Sequence, residues 1–372
     1  MNLKQKYNLF QIAIKHPAIS YNKLWNFIDK RFSNTPVFPE LLRFFLFYGC
    51  NLHCRMCGQW GENGTSNIAE ANNFIALDTL VRLIDEASLY HPEIYLWGGE
   101  PTLHPDFDEF IREIKARKLT CTINTNGTLL EKHAQAILEN HVDSIDVSLL
   151  GAESVHDYMV QVPGSYRRVM RGLFALNQDR HRPLVNAIVT IGNNNRDDIE
   201  HLLSDIETNP GIDLCILQLG WFVPTPAGKK YQERMQKEFS IKAVSWRGFQ
   251  DDKSSERIDG INKLLTNIKN SKHYKKPILL FPNIKPKQIA PYFANYNDLL
   301  NYSKCWTLYR GLDIRPNGDV VVCADFPDYT LGNINNQSIR QIWQGNKIKL
   351  FRASITRNGL LPICNRCCGM FR

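Results

Sequence analysis

The chain has 372 residues, 43% hydrophobic and 22% charged, a globular composition that excludes a disordered protein. The first residues lack the apolar run and cleavage site of a secretory signal, and no stretch approaches the ~18 apolar residues of a membrane span; the sequence therefore predicts a cytosolic protein. The net charge of +8 resides in two segments: 1–43 holds seven Lys and Arg against two Asp and Glu, and 229–287 holds fifteen against six.

Residues 1–41 show helical spacing twice, at Leu3, Tyr7, Phe10 and Ile14 and again at Leu24, Phe27, Ile28 and Phe32. With their lysines they read as a helical collar on the next domain, or as an interfacial pair touching anionic lipid. From 42 to 228 strands alternate with helices. Strand candidates are 44–48, 94–97, 121–125, 144–149, 184–191 and 214–219, and between them run patterns such as Leu77, Leu80, Val81, Ile84 and Ile199, Leu202, Leu203, Ile206. Six βα units imply a parallel sheet, whose chemistry collects at the carboxyl ends of its strands. Residues 229–300 break the alternation with a lysine-rich, proline-spaced stretch that reads as an insertion or bridge. Residues 301–372 read as a small hairpin-plus-helix unit: 312–315 and 320–323 flank the turn Pro316-Asn317-Gly318-Asp319, and a helical pattern follows at Ile339, Ile342, Trp343 and Leu350.

Ten cysteines in a cytosolic chain of this length point to metal rather than to disulfides. Cys50, Cys54 and Cys57 offer three thiolates in eight residues with no local fourth. A closed zinc site needs four ligands, whereas a cubane cluster with three leaves one iron free to chelate a small molecule. Gly98-Gly99-Glu100-Pro101 follows, on the loop after the second strand. Together the two motifs resemble the radical S-adenosylmethionine (SAM) superfamily. The resemblance implies an α/β fold, a partial (β/α)6 TIM-like barrel, with Cys50, Cys54 and Cys57 holding a [4Fe–4S] cluster whose open iron binds SAM. It also implies that Gly98, Gly99 and Pro101 belong to the segment meeting the methionine amino group, with Glu100 as the charged participant. Met56 and Ser148 become candidate nucleoside contacts, Ser148 equally readable as a plain strand-end serine; Asn186 and Asn193 are weaker candidates.

Cys305, Cys323, Cys364 and Cys367 form a second set. Four thiolates suit a zinc ribbon, but the hairpin and terminal Cys-x2-Cys after such a barrel resemble the SPASM/twitch auxiliary domain. Five cysteines beyond residue 300 suffice for one auxiliary [4Fe–4S] cluster, with Cys368 spare or an alternative ligand. Asp325 is either a proton acceptor beside that cluster or an acidic hairpin-edge residue. Cys121 and Cys215, inside apolar strands, read as small buried hydrophobes.

The resemblance implies an oxidoreductase that cleaves SAM to a 5′-deoxyadenosyl radical, abstracts a substrate hydrogen and passes an electron to the auxiliary cluster. A reductant such as flavodoxin or ferredoxin would serve it. The basic segments favour a sugar, nucleotide-sugar or lipid-linked glycan and peripheral contact with an anionic inner membrane face. A peptide or protein maturase is the alternative, although the region before the barrel is short for a leader-binding domain. A non-enzymatic iron-sulfur or zinc-binding adaptor is the remaining one. Nucleic acid is disfavoured because no recognised binding fold accompanies the charge.

Overall fold

The computed structural model describes residues 1, 3–17, 19, 35–61, 63–64, 73–300 and 304–367. The second helical pattern, at Leu24, Phe27, Ile28 and Phe32, and Cys368 lie outside the described residues. Helix α1 (Leu3–Lys15) comes first. Strands β1 (Leu41–Phe45), β2 (Glu93–Trp97), β3 (Thr120–Thr125), β4 (Ser144–Ser148), β5 (Leu184–Ile191), β6 (Leu214–Leu219) and β7 (Ile278–Phe281) then pair in parallel. The right neighbourhood for such a ladder is supplied by crossover helices, each with one apolar stripe. Helix α2 (Leu77–Ser88) buries Leu80, Leu83, Ile84 and Ala87, α3 (Phe107–Ala116) buries Phe107, Phe110, Ile111 and Ile114, and α4 (Leu130–Glu139) follows β3.

β1 starts three residues earlier than its apolar run suggests. Leu41 to Phe44 are held on both sides, by β2 and by β8 (Gly311–Ile314), whereas the chain leaves the ladder after Phe45. The stretch read as an insertion or bridge, 229–300, contains a strand that reading did not include: β7, which extends the parallel sheet beside β6. The C-terminal unit is likewise continuous with the barrel. β8 pairs in parallel with β1, and β9 (Asp319–Val321) and β10 (Thr330–Asn333) extend the same sheet antiparallel beyond it.

Between β1 and β8, Arg43 and Asp313 form a buried bidentate pair, Nε donating to Oδ1 at 2.5 Å and Nη2 to Oδ2 at 2.7 Å. The turn at Gly318 (φ 86°) closes the β8–β9 hairpin, with Arg315 N donating to Asp319 O at 2.8 Å. No helix among the described residues is long and apolar enough to cross a membrane.

Candidate active site

The carboxyl ends of β1 to β6 and the β9–β10 side surround one cavity of about 940 Å³. All seven cysteines of the two sets line it: Cys50, Cys54 and Cys57 from the loop after β1, and Cys305, Cys323, Cys364 and Cys367 from the C-terminal unit. Met56, Gly98, Gly99, Ser148, Asn193 and Asp325 line it as well.

The first cysteine loop is pinned by its own backbone. His53 N donates to Val160 O, Arg55 N to Met159 O and Cys57 N to Cys54 O, at 2.9–3.1 Å. Leu52, Leu150, Met159 and Val160 pack beneath it, with Cys50, Cys54 and Met56 against them. Met159 and Val160 come from helix α5 (Glu153–Val160).

The glycine segment meets this loop directly. Gly99 N donates to Phe47 O at 2.8 Å and Glu100 N to Gly49 O at 2.9 Å. A Cβ at Gly99 would stand 2.2 Å from Gly49 O, and Gly98 adopts φ 153°. These glycines are therefore demanded by the close approach of the loops after β1 and β2, in addition to any ligand laid against them.

Glu100 and Pro101 do not line the cavity. The Glu100 carboxylate is fully buried and accepts four donors: Thr102 N (3.1 Å), Thr102 Oγ1 (2.6 Å), Thr125 Oγ1 (2.6 Å) and Asn126 N (2.7 Å). Burial raises its pKa while these donors pull it down. Its contact with a ligand is thus replaced by a structural role, since it ties the glycine segment to the end of β3. Asn126, the residue so tied, donates through Nδ2 to Asn51 Oδ1 at 2.8 Å and lies 3.8 Å from Cys50 Sγ.

Asn186 is also displaced from the site. It lies in the first half of β5, where its Nδ2 donates to Asp146 Oδ1 at 2.8 Å and to Ser144 Oγ at 3.3 Å. The strand reaches the cavity only at Thr190, four residues or roughly 13 Å further along.

Several lining residues were not singled out from sequence. Tyr95 and Trp97 alternate on β2, Asn124 lies on β3 and Gln218 on β6; a polar or aromatic residue at every second strand position was the available signal. Trp221, Phe249 and Phe326 form an aromatic wall, with Trp221 stacked on Phe326 at 5.9 Å and 5.3 Å from Phe249. These three come from separate loops and carry no joint pattern in sequence.

The donor chemistry fits clusters. Burial pushes Cys50 up to about 11 and Cys54 up to about 12, the charges of neighbouring cysteines adding to the latter. Cys57, Cys305 and Cys323 are raised by burial too, and Cys364 is pushed up to about 12. Thiols so placed become thiolates only when a cationic centre among them replaces the lost solvation. Among the described residues, no three His, Cys, Asp or Glu side chains converge on a single ion-sized point.

Residues 44–206 match the Radical SAM superfamily. The parallel barrel with its cysteine loop and glycine segment on one rim is that of a radical SAM enzyme, and the chain belongs to this superfamily. More particularly, residues 305–368 match SPASM, an iron-sulfur cluster-binding domain, so the barrel carries a C-terminal auxiliary domain. Its cofactors are SAM and [4Fe–4S] clusters.

The chain is 24% identical over 344 residues to the tungsten-containing aldehyde ferredoxin oxidoreductase cofactor-modifying protein of Pyrococcus furiosus, covering 86% of this chain and 84% of that protein. It is 25% identical over 328 residues to the Fe-coproporphyrin III synthase of Methanosarcina barkeri, covering 86% and 78%. The crystal structure of Streptococcus suis SuiB bound to precursor peptide SuiA shares the fold, with a TM-score of 0.64 at 17% identity, over 99% of this chain and 77% of SuiB.

His156 lies under the cysteine loop. Its Nδ1 accepts from Leu150 N at 3.2 Å, its Nε2 has no partner, and burial pushes its pKa down from 6.5 to about 4. The folded state therefore holds it neutral while the unfolded chain protonates it, so stability is lost as pH falls from 6.5 through 4. Between pH 7 and roughly pH 4.5 this group alone costs about 2–3 kcal/mol. Urea unfolding of the wild type and His156→Asn at both pH values isolates the term: the variant's stability is expected to fall less on acidification by that amount.

Proposed function

We propose that Cys50, Cys54 and Cys57 hold the SAM-binding cluster, and that Cys305, Cys323, Cys364 and Cys367 hold one auxiliary [4Fe–4S] cluster. When bound, these groups and SAM supply a carbon-centred radical and a nearby electron acceptor, which together make the net reaction an oxidation. The chain's part is to orient and enclose. Gly98, Gly99 and Asn126 shape the wall beside the first cluster, Met56 and Ser148 face the nucleoside region, and Asp325, two residues beyond Cys323, is placed to accept a substrate proton. A flavodoxin- or ferredoxin-like reductant completes the cycle. The observation that carries this reading is the single cavity lined by both cysteine sets.

The cavity also bears on the substrate. Among the described residues its Lys and Arg side chains are Arg43 and Arg55; Arg43 is paired with Asp313, and Arg55 Nε donates to Tyr158 O at 3.1 Å. None of the lysines of 229–287 lines it, whereas Asp251 and Asp325 do. A phosphorylated sugar or nucleotide-sugar therefore loses the argument that the basic segments lent it. We read the substrate as uncharged or cationic, covered by the wall of Trp221, Phe249 and Phe326. A neutral sugar ring meets these terms, and so does a peptide segment, which is the second reading.

Anaerobic reconstitution with iron counted, then incubation with SAM and dithionite, tests the assignment. About eight irons per chain are expected for two cubanes. Cys323→Ala should hold about four, retain 5′-deoxyadenosine formation and lower oxidised product by about tenfold or more. Full iron content in that variant, or its loss of SAM cleavage, would remove the electron-acceptor role from the second set.

A further inference from the structure

Among the described residues, one side of helix α1 packs on the barrel and the opposite, apolar side is exposed. On the inner side Gln5 is buried and Asn8 Nδ2 donates to Lys275 O at 2.9 Å. His16, just beyond the helix, lies within electrostatic reach of Asp213, Arg182 and Asp143. Asp143 and Asp213 immediately precede β4 and β6, Arg182 lies two residues before β5 and Lys275 three before β7, so α1 covers the amino ends of the strands. The cavity opens at their carboxyl ends, on the far side of the sheet.

On the outer side Tyr7, Phe10 and Ile14 are 62%, 62% and 57% exposed and share one helical face by their three- and four-residue spacing. Exposed Lys4, Lys6 and Lys15 flank them, and exposed Lys275 stands beside Asn8. The nearby carboxylates are engaged: Asp213 with Arg182 at 2.7 Å, Asp143 with Lys115 at 2.5 Å, and Glu207 with the backbone N–H groups of Lys275 and Lys276. An apolar patch rimmed by cations that form no salt bridge among the described residues is the chemistry of an interfacial helix.

We propose that this face docks the protein on an anionic lipid bilayer, with Tyr7, Phe10 and Ile14 entering the headgroup boundary and the lysine rim meeting lipid phosphate. The charge chooses this occupant over a second copy, because a two-fold contact through the patch would bring the lysine rims together. Docked this way, the cavity points away from the membrane. Substrate and reductant then reach the rim from the aqueous side, and a lipid-linked substrate would have to leave the bilayer to react.

The test is co-sedimentation of the full chain with phosphatidylcholine vesicles, with and without one quarter phosphatidylglycerol. Binding to the anionic vesicles only is expected, and it should weaken as salt rises. Changing Tyr7→Ser, Phe10→Ser and Ile14→Ser together should lower the bound fraction about tenfold or more. Dithionite-driven 5′-deoxyadenosine formation should stay unchanged in that variant, which shows that the barrel is intact. Equal binding to neutral vesicles, no binding at all, or binding unaffected by the triple change overturns the proposal. So does a concentration-dependent dimer that the triple change abolishes, which would give the face to a second copy.

Discussion

Cys54→Ala is expected to lower 5′-deoxyadenosine formation by about 10³-fold or more, equivalent to about 4 kcal/mol or more in the barrier. Removing one of three thiolates leaves a cubane with two protein ligands, and the iron that should be open to SAM is no longer singled out. Folding should survive, because the loop is held by main-chain bonds from His53, Arg55 and Cys57 and by the packing of Leu52 on Leu150, Met159 and Val160, none of which uses the Cys54 sulfur. Loss of the small buried side chain should cost about 1 kcal/mol of apo stability. Iron per chain should fall from about eight to about four, the remainder being the auxiliary cluster. Urea unfolding of the apo protein separates the two effects. SAM cleavage within tenfold of wild type, at reduced or full iron content, would show that Cys54 is not a required ligand and would overturn the assignment of the first set.

Motifs carried by contiguous residues were legible in the sequence because local spacing encodes them. The cysteine loop, the glycine segment and the turn at Gly318 are of this kind. β5 and β6 coincide with their apolar runs, which Pro183 and Gly192 bound in β5 and Asp213 and Gly220 bound in β6. β7 was not legible: four apolar residues among prolines and lysines look like a loop, and only the exposed edge of β6 gives them a partner. The wall of Trp221, Phe249 and Phe326 was hidden for a related reason, being assembled from separate loops by tertiary packing. The basic segments do not bear on the cavity, because net charge reports composition and not the direction in which side chains face. Glu100 shows the converse. Its place in the motif was plain, yet a carboxylate next to a cavity-lining glycine can serve the fold when four donors converge on it.

Glu100→Gln should therefore be far more damaging than its near-identical shape suggests. Oε2 accepts from Asn126 N, and Oε1 accepts from Thr102 N together with both threonine hydroxyls. The hydroxyls can rotate, but the two backbone N–H groups cannot. Whichever way the new amide is turned, its NH2 faces one of them, and a buried donor is left opposed to a donor. Such a mismatch costs about 3–5 kcal/mol, against about 1 kcal/mol for deleting one hydroxyl in Thr125→Val. The strain falls on the contact between the glycine segment and Asn126, the residue beside Cys50 and Asn51. SAM affinity should accordingly drop with stability in Glu100→Gln, by about tenfold or more, since Gly98 and Gly99 lose their register against the cysteine loop. Thermal unfolding of the apo protein and SAM titration of the reconstituted one measure both. A variant that binds and cleaves SAM normally at wild-type stability would remove Glu100 from this positioning role.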